Sequence, residues 1–183
     1  MKKLNKIVLS LGFFVAIGAG VWYYTGIERG PIYEFNYERD AKPILEIFDK
    51  DWYWLVADSR EHYSPELMLK YRAPKQNRMY EGRMQIKVLR NEQDQFVGFA
   101  AYYPKSKDVW FFNFLAIKPE FRGKRYADKL MACALADMKA RGAQEIALIT
   151  RPSNKAAQSV YRRFKFQETF NDGEYIGFTY FVK

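Results

Sequence analysis

The chain has 183 residues, of which 49% are hydrophobic and 18% aromatic, and its formal net charge is +9. This length suits a single domain with a substantial core. The single cysteine, Cys133, excludes an intramolecular disulfide, and with only one histidine, His62, a zinc site of the usual Cys and His ligands is effectively excluded. The positive charge suits an anionic ligand, nucleic acid, an acidic membrane surface or simple solvation equally well.

Residues 1–27 are predicted to form a separate hydrophobic segment. Three lysines precede an uncharged apolar run from Ile7 to Thr25, close to the ~20 residues that span a bilayer. Two interpretations stay open. The run is either an uncleaved signal-anchor ending in interfacial aromatics at 22–24, which we favour, or a signal peptide with small residues at 18–20. The charge rule places the N-terminus in the cytoplasm and the domain 28–183 outside.

Hydrophobic periodicity and turn residues predict the elements of the domain. A helix over 42–56 begins after Asp40 as N-cap, and Ser64 caps a short helix over 65–71. Two more helices cover 123–141 and the stretch after Asn154. The predicted strands are 32–37, 85–90, 95–103, 109–118, 146–149, 166–170 and 175–182.

The order β-α-α-β-β-β-α-β-α-β-β predicts an α/β (α+β) fold. A helix connects strands 109–118 and 146–149, so these two should be parallel. The other strands are hairpin-linked and should be antiparallel. A mixed central sheet with helices on both faces follows.

A basic glycine turn leads from strand 109–118 into helix 123–141. It reads Pro119-Glu120-Phe121-Arg122-Gly123-Lys124-Arg125-Tyr126-Ala127. Main-chain N–H groups at a turn that feeds a helix N-terminus form an anion site. The turn is therefore a candidate for holding the diphosphate of a nucleotide-like cofactor.

This turn resembles the acetyl-CoA signature of the GNAT (GCN5-related) N-acetyltransferase family, Arg/Gln-x-x-Gly-x-Gly/Ala after an apolar strand and a proline. Arg122 matches the first position and Ala127 the last, whereas Arg125 stands where glycine is usual.

A second family motif, Asn-x-x-Ala-x-x-x-Tyr-x-x-x-Gly-Phe, is matched by Asn154, Ala157, Tyr161 and Phe166, with Lys165 replacing glycine. The resemblance covers about residues 32–183 and implies the acyl-CoA N-acyltransferase fold.

The resemblance also implies a role for each matched residue. The diphosphate would lie at the turn, on Arg122, Gly123, Lys124, Arg125, Tyr126 and Ala127. The pantetheine arm would run along Leu115, Ala116 and Ile117, where a main-chain N–H polarises the thioester carbonyl, and would also contact Asn154. Tyr161 would act as the general acid that protonates the departing thiolate, which suits a phenol with a reference pKa near 10.

These implications predict an N-acetyltransferase that moves an acetyl group from acetyl-CoA to an amine by direct attack in a ternary complex, without a metal. One alternative is a CoA-binding module made inactive by Arg125 and Lys165. A second is a basic nucleic-acid or anionic-lipid binder, which would give a steep salt dependence. A third is a membrane-tethered structural protein, for which the motif match would be accidental. The predicted orientation in the membrane conflicts with the predicted cofactor, because acetyl-CoA is cytosolic and the charge rule places the domain outside.

The acceptor side is less defined by the sequence. The candidate bases are Glu81, Asp108, Asn113 and His62. The loop 57–82, with Tyr63, Tyr71 and Tyr80, is expected to help wall the acceptor site. The amine itself is not identified by these residues.

Overall fold

A seven-stranded mixed sheet organises the part of the chain that the structure, a computed structural model, describes: residues 31–56, 63–71 and 82–183. The strands are β1 (Ile32–Glu34), β2 (Gln85–Arg90), β3 (Phe96–Pro104), β4 (Val109–Ile117), β5 (Glu145–Thr150), β6 (Gln167–Asn171) and β7 (Ile176–Phe181). Their order across the sheet is β1-β2-β3-β4-β5-β7-β6. Among these seven strands, only β4 and β5 pair in parallel, so the predicted mixed sheet and its parallel pair are confirmed.

Four α-helices within the described residues cover the two faces of this sheet. They are α1 (Tyr37–Leu55), α2 (Pro65–Leu69), α3 (Tyr126–Ala140) and α4 (Lys155–Arg163). Helices α1 and α2 pack on one face, in a core that includes Ile44, Phe48, Met68 and Phe114. Helices α3 and α4 pack on the other, in a core that includes Leu130, Met138, Leu148 and Val160. The predicted arrangement of helices on both faces is confirmed.

Strands β4 and β5 run together only briefly. Three residue pairs join them, from Val109 opposite Glu145 to Phe111 opposite Ala147. Beyond these pairs β4 continues to Ile117 along β3, and β5 continues to Thr150 along β7. The sheet therefore opens into a cleft at the carboxyl ends of its two parallel strands.

A β-bulge in β4 lies at the start of this cleft. The register changes from Phe112 opposite Tyr102 to Phe114 opposite Ala101, which leaves Asn113 as the extra residue. Because side chains alternate along a strand, one extra residue exchanges the faces that follow. Accordingly, Phe112 lies in the core beneath α3 and α4, and Phe114 lies in the core beneath α1 and α2.

The start of α1 corrects the prediction that Asp40 caps this helix. The N-cap is Asn36, whose side chain accepts a hydrogen bond from the Arg39 N–H at 3.1 Å. Asp40 lies inside the helix, where its Oδ2 accepts the N–H of Asn36 at 2.9 Å. The misleading signal was Pro43, which the prediction placed in the first turn although it lies farther into the helix.

The other predicted boundaries differ from the observed ones by at most three residues. The largest differences are at the N-terminus of α3, which begins at Tyr126 rather than at residue 123, and at the end of β1, which is Glu34 rather than residue 37. The predicted hydrophobic segment 1–27 lies outside the described residues, as do His62, Tyr80 and Glu81. Within the described ranges, no helix has the length and apolar character that a membrane crossing requires.

Asp40 anchors a buried ion pair between α1 and β2, and its replacement should destabilise the fold. Its carboxylate is fully buried and bonds Arg90 at 2.6 Å and Arg39 at 3.0 Å. Burial raises the pKa of Asp40, but the bonds from Arg39 and Arg90 outweigh it and hold the pKa below 3.8. We expect Asp40→Asn to lower the free energy of unfolding by about 3 kcal/mol at pH 7, because the buried Arg90 then keeps, among the described residues, only its contacts to the exposed Asp94.

Urea unfolding across pH measures this effect, with the exposed Glu92→Gln as control. A depressed pKa in the folded state stabilises the fold fully above pH 3.8, and that stabilisation is lost as the pH falls through the folded-state value. The gap between wild type and Asp40→Asn should therefore close below about pH 4. A gap that is constant from pH 7 to pH 3 would contradict this account.

Candidate active site

A cavity of ≈ 770 Å³ occupies the cleft between β4 and β5. One wall is β4 from Asn113 to Ile117, and the other is the end of β5 at Ile149 and Thr150. The N-terminal turns of α3 and α4 lie at one end. Four cationic and two anionic side chains line it: Arg122, Arg125, Lys155, Arg163, Asp51 and Asp128. The cavity is thus suited to a long anionic ligand.

The basic turn carries unpaired main-chain donors. Within the described part of the chain, the N–H groups of Gly123, Lys124, Arg125 and Ala127 have no hydrogen-bond acceptor. Helix α3 also begins without a side-chain cap. Since the first N–H groups of a helix need an external partner, these donors are available to an anion at the positive end of the helix dipole.

Two residues at the positions where the family usually has glycine adopt glycine-like torsions. Arg125 has φ 58° and ψ 22°, and Lys165 has φ 65°, both in the left-handed region. Gly123, with φ 78°, is likewise left-handed, and a Cβ there would meet nothing within 4 Å. Arginine and lysine have a steric cost in this conformation, but the backbone at both positions follows the path that a glycine would give it.

An arginine–aspartate–arginine cluster joins the N-terminus of α3 to α4. Asp128 accepts hydrogen bonds from Arg125 at 2.7 Å and from Arg163 at 2.5 Å. Burial raises the pKa of Asp128, but the two arginines outweigh it and leave the pKa lowered. The ionised carboxylate holds both guanidinium groups beside the cavity, and the cluster keeps one net positive charge.

Tyr161 projects from α4 into the same cavity. Its ring packs against Phe166 at 6.1 Å and Phe178 at 5.6 Å, and only 8% of the residue is exposed. Burial raises the pKa of this phenol above its usual value of 10.0. The hydroxyl therefore stays protonated at neutral pH, as a general acid requires.

The structure brings most of the predicted cofactor residues together around the cavity. Leu115, Ala116 and Ile117 line it from β4, and Asn154 lines it while capping α4 with a 3.2 Å bond from the Ala157 N–H. Lys124 is the exception, since its ammonium group lies 5.9 Å from the Phe121 ring and the residue does not line the cavity.

The end of α1 also contributes to the site, which the sequence analysis missed. Asp51 sits at a kink in the helix and forms an ion pair with Arg122, whose Nε donates to the Ile117 carbonyl at 2.9 Å. Arg151, after β5, donates to the Tyr53 carbonyl at 2.8 Å. The last turn of α1 is thereby bonded to both sides of the cleft. No local sequence signal marks these contacts, because each joins distant parts of the chain.

The structure describes two of the four candidate bases, Asn113 and Asp108. Asn113 lines the cavity, whereas Asp108 does not. His62 and Glu81 lie outside the described residues. Cys133 is partly buried on α3, and burial raises the pKa of its thiol, which makes it a poor nucleophile. Within residues 31–56, 63–71 and 82–183, no group of His, Cys, Asp and Glu could hold a metal ion.

Comparison with known proteins identifies the family. Residues 41–166 match the model of the acetyltransferase (GNAT) family. The chain belongs to the GNAT family. The match begins inside α1 and ends just before β6, so it includes both strands of the cleft, the basic turn and the helix that carries Tyr161.

Two curated GNAT relatives match shorter stretches. A [ribosomal protein bS18]-alanine N-acetyltransferase of Haemophilus ducreyi is 31% identical over 88 residues, which are 48% of this chain and 60% of that protein. N-alpha-acetyltransferase 30 of Schizosaccharomyces pombe is 52% identical over 52 residues, 28% of this chain and 35% of that protein. The matches thus span about a third to three fifths of the curated relatives.

Solved structures share the fold over most of the chain. Ard1 from Thermoplasma volcanium has a TM-score of 0.65 and 19% identity, covering 85% of this chain and 99% of that one. The PaiA N-acetyltransferase from Thermoplasma acidophilum, solved in complex with coenzyme A, has a TM-score of 0.66 and 20% identity, covering 83% and 98%. Both support the GNAT fold.

The left-handed torsion at Lys165 gives a stability prediction. We expect Lys165→Gly to raise the free energy of unfolding by about 1 kcal/mol, because glycine adopts φ 65° without steric cost. Lys165→Ala keeps the Cβ and should give no gain. Thermal and urea unfolding of the three proteins measure this difference. Equal stabilisation by alanine and glycine would show that the lysine side chain, and not the torsion, was responsible.

Proposed function

We propose that this protein is an N-acetyltransferase that uses acetyl-CoA. The observation that carries the proposal is the row of unpaired N–H groups at Gly123, Lys124, Arg125 and Ala127. All of these residues except Lys124 line the cavity between β4 and β5. These donors are suited to the diphosphate of CoA. The separated strands then leave room for the pantetheine arm to run along β4 toward the point of separation.

The chemistry follows from where the arm would end. The amine nitrogen attacks the thioester carbonyl carbon, a carbon–nitrogen bond forms and the carbon–sulfur bond breaks. The amine loses one proton and the thiolate gains one, so the products are an N-acetyl amide and free CoA. Tyr161 is the proton donor to sulfur, since its phenol lines the cavity and its pKa is raised by burial. Binding both reactants in one cavity replaces a bimolecular encounter by an intramolecular step.

The acceptor that we propose is the α-amine of a peptide or protein N-terminus. The names of both curated relatives state this type of acceptor, an alanine of a ribosomal protein in one and an N-alpha amine in the other. The stretches matched are short, so the acceptor class has to be tested on a panel of amines.

An inactive CoA-binding module is the second candidate, because Arg125 and Lys165 replace glycines. The torsions at both positions speak against it, since each residue keeps the conformation that a glycine would adopt. The N–H of Arg125 also remains available. We therefore favour the active enzyme.

Acetyl-CoA binding at the turn can be tested by adding one charge. We expect Gly123→Asp to weaken the calorimetric affinity for acetyl-CoA at least ten-fold more than Gly123→Asn. Asn and Asp both tolerate positive φ and have the same shape, and Gly123 has open space around it. The difference should shrink at high salt, as the carboxylate–diphosphate repulsion is screened. Equal affinities of the two variants at low salt would exclude a diphosphate beside Gly123.

The acid role of Tyr161 can be tested by removing its hydroxyl. We expect Tyr161→Phe to lower kcat by about 10²-fold with the affinity for acetyl-CoA unchanged, because the phenol acts in the chemical step. Tyr180→Phe, on β7 and outside the cavity wall, is the matched control. Turnover of Tyr161→Phe on a panel of amines measures the effect, and wild-type kcat in this variant would rule the role out.

A further inference from the structure

The cleft contains a buried polar group, on Asn113, that has no hydrogen-bond partner among the described residues. Asn113, the extra residue of the β4 bulge, lines the cavity two residues beyond the last pair between β4 and β5. Its Nδ2 is buried and has no hydrogen-bond partner among the described residues. Since buried polar groups in folded proteins are nearly always bonded, an unpaired one beside a cleft requires an explanation.

Tyr63 carries a second buried polar group of this region, its hydroxyl, which also has no hydrogen-bond partner among the described residues. Burial raises the pKa of Tyr63, and the Asn113 carboxamide is near enough to oppose part of that rise. The Tyr63 ring also contacts the ring of Phe114, the residue next to Asn113, at 5.7 Å. The hydroxyl and Nδ2 are therefore two unbonded polar groups in the same region of the site.

The Tyr63 ring is held firmly in place by aromatic neighbours. It stacks on Phe48 at 6.2 Å and meets Phe114 at 5.7 Å and Trp52 at 6.2 Å, both edge to face. Phe48 and Phe114 are almost completely buried. The hydroxyl is thus held at a fixed position in the region of Nδ2, which is itself buried. Oδ1 is not among the buried unpaired atoms, and Asn113 lines the cavity, so Oδ1 is the end of the carboxamide that is open to a ligand.

We propose that Asn113 is an acceptor-binding residue, whose Oδ1 accepts a hydrogen bond from the attacking amine, and that Tyr63 is the positioning residue that orients this carboxamide. The proposal rests on the proposed acetyl transfer. A neutral carboxamide suits the task, because it can hold the amine while favouring the ammonium form, which cannot attack, less than an anionic group would. A carboxylate in the same place would favour the ammonium form instead.

The test uses wild type, Asn113→Leu, Asn113→Asp and Tyr63→Phe, in the full chain. The probes are acetyl-CoA and a lysine-free peptide with a free N-terminal alanine, supplemented by spermidine and an N-terminally blocked lysine peptide. The amine that wild type acetylates fastest is then used for all variants. If the affinity of a variant for acetyl-CoA is within two-fold of the wild-type value, its cleft is intact.

For Asn113→Leu we expect the KM of the amine to rise about ten-fold and the KM of acetyl-CoA to stay unchanged. The Tm should not fall, because the substitution removes an unpaired buried group. Tyr63→Phe should raise the KM of the amine less, and should add nothing in the double variant, since it acts through Asn113. In Asn113→Asp, the pH at which kcat reaches half of its maximum should be higher than in wild type by one unit or more.

Two results overturn the proposal while leaving acetyl transfer intact. One is an unchanged KM of the amine in Asn113→Leu. The other is a parallel loss of amine binding, acetyl-CoA binding and Tm in Asn113→Leu and Tyr63→Phe, which a purely structural pair would give. A wild-type protein that neither binds acetyl-CoA nor acetylates any amine of the panel overturns the proposed function, and this inference falls with it.

Discussion

The separation of β4 from β5 after three residue pairs is the constraint on which the site depends. Parallel strands normally pair along their length, and here each strand instead keeps its other neighbour, β3 or β7. The opening exposes one edge of β4 to a ligand and lets the N-terminal turns of α3 and α4 approach from the same end. Two helix dipoles and unpaired N–H groups then meet at the place where the cleft widens.

The bulge at Asn113 determines which side chains of β4 point to each face of the sheet. It exchanges the faces of β4, so that Phe114 can pack against Phe48 beneath α1 while Phe112 packs beneath α3. The same extra residue sets a carboxamide at the narrow end of the opening. The turn therefore defines where an anionic cofactor would lie, and the bulge defines where its reactive end would meet an amine. Helix α1 is bonded to both sides of the cleft through Asp51 and Tyr53.

Much of this architecture could be predicted from the sequence, because its signals are local. The order of elements, the parallel pair, the Asn154 cap and the grouping of the turn residues with Leu115 and Ile117 follow from periodicity, turn chemistry and two motifs. The start of α1 could not be predicted as well, since Asp40 reads as a cap and is in fact a buried partner of Arg90. Asp51 could not be found from the sequence, which indicates Tyr63 only as one of several tyrosines near the acceptor site, without its contacts to Phe48 and Phe114. Their contacts join residues far apart in the chain, and no spacing encodes them.

The central claim is that the main-chain donors of the turn bind the diphosphate of acetyl-CoA. It is tested most directly by NMR, following the ¹⁵N–¹H signals of Gly123, Lys124 and Arg125 during titration with acetyl-CoA. The account predicts saturable downfield shifts of these three signals, with the signal of Gly173, in the loop between β6 and β7, unmoved. Saturation with acetyl-CoA that leaves the three turn signals unchanged would contradict it.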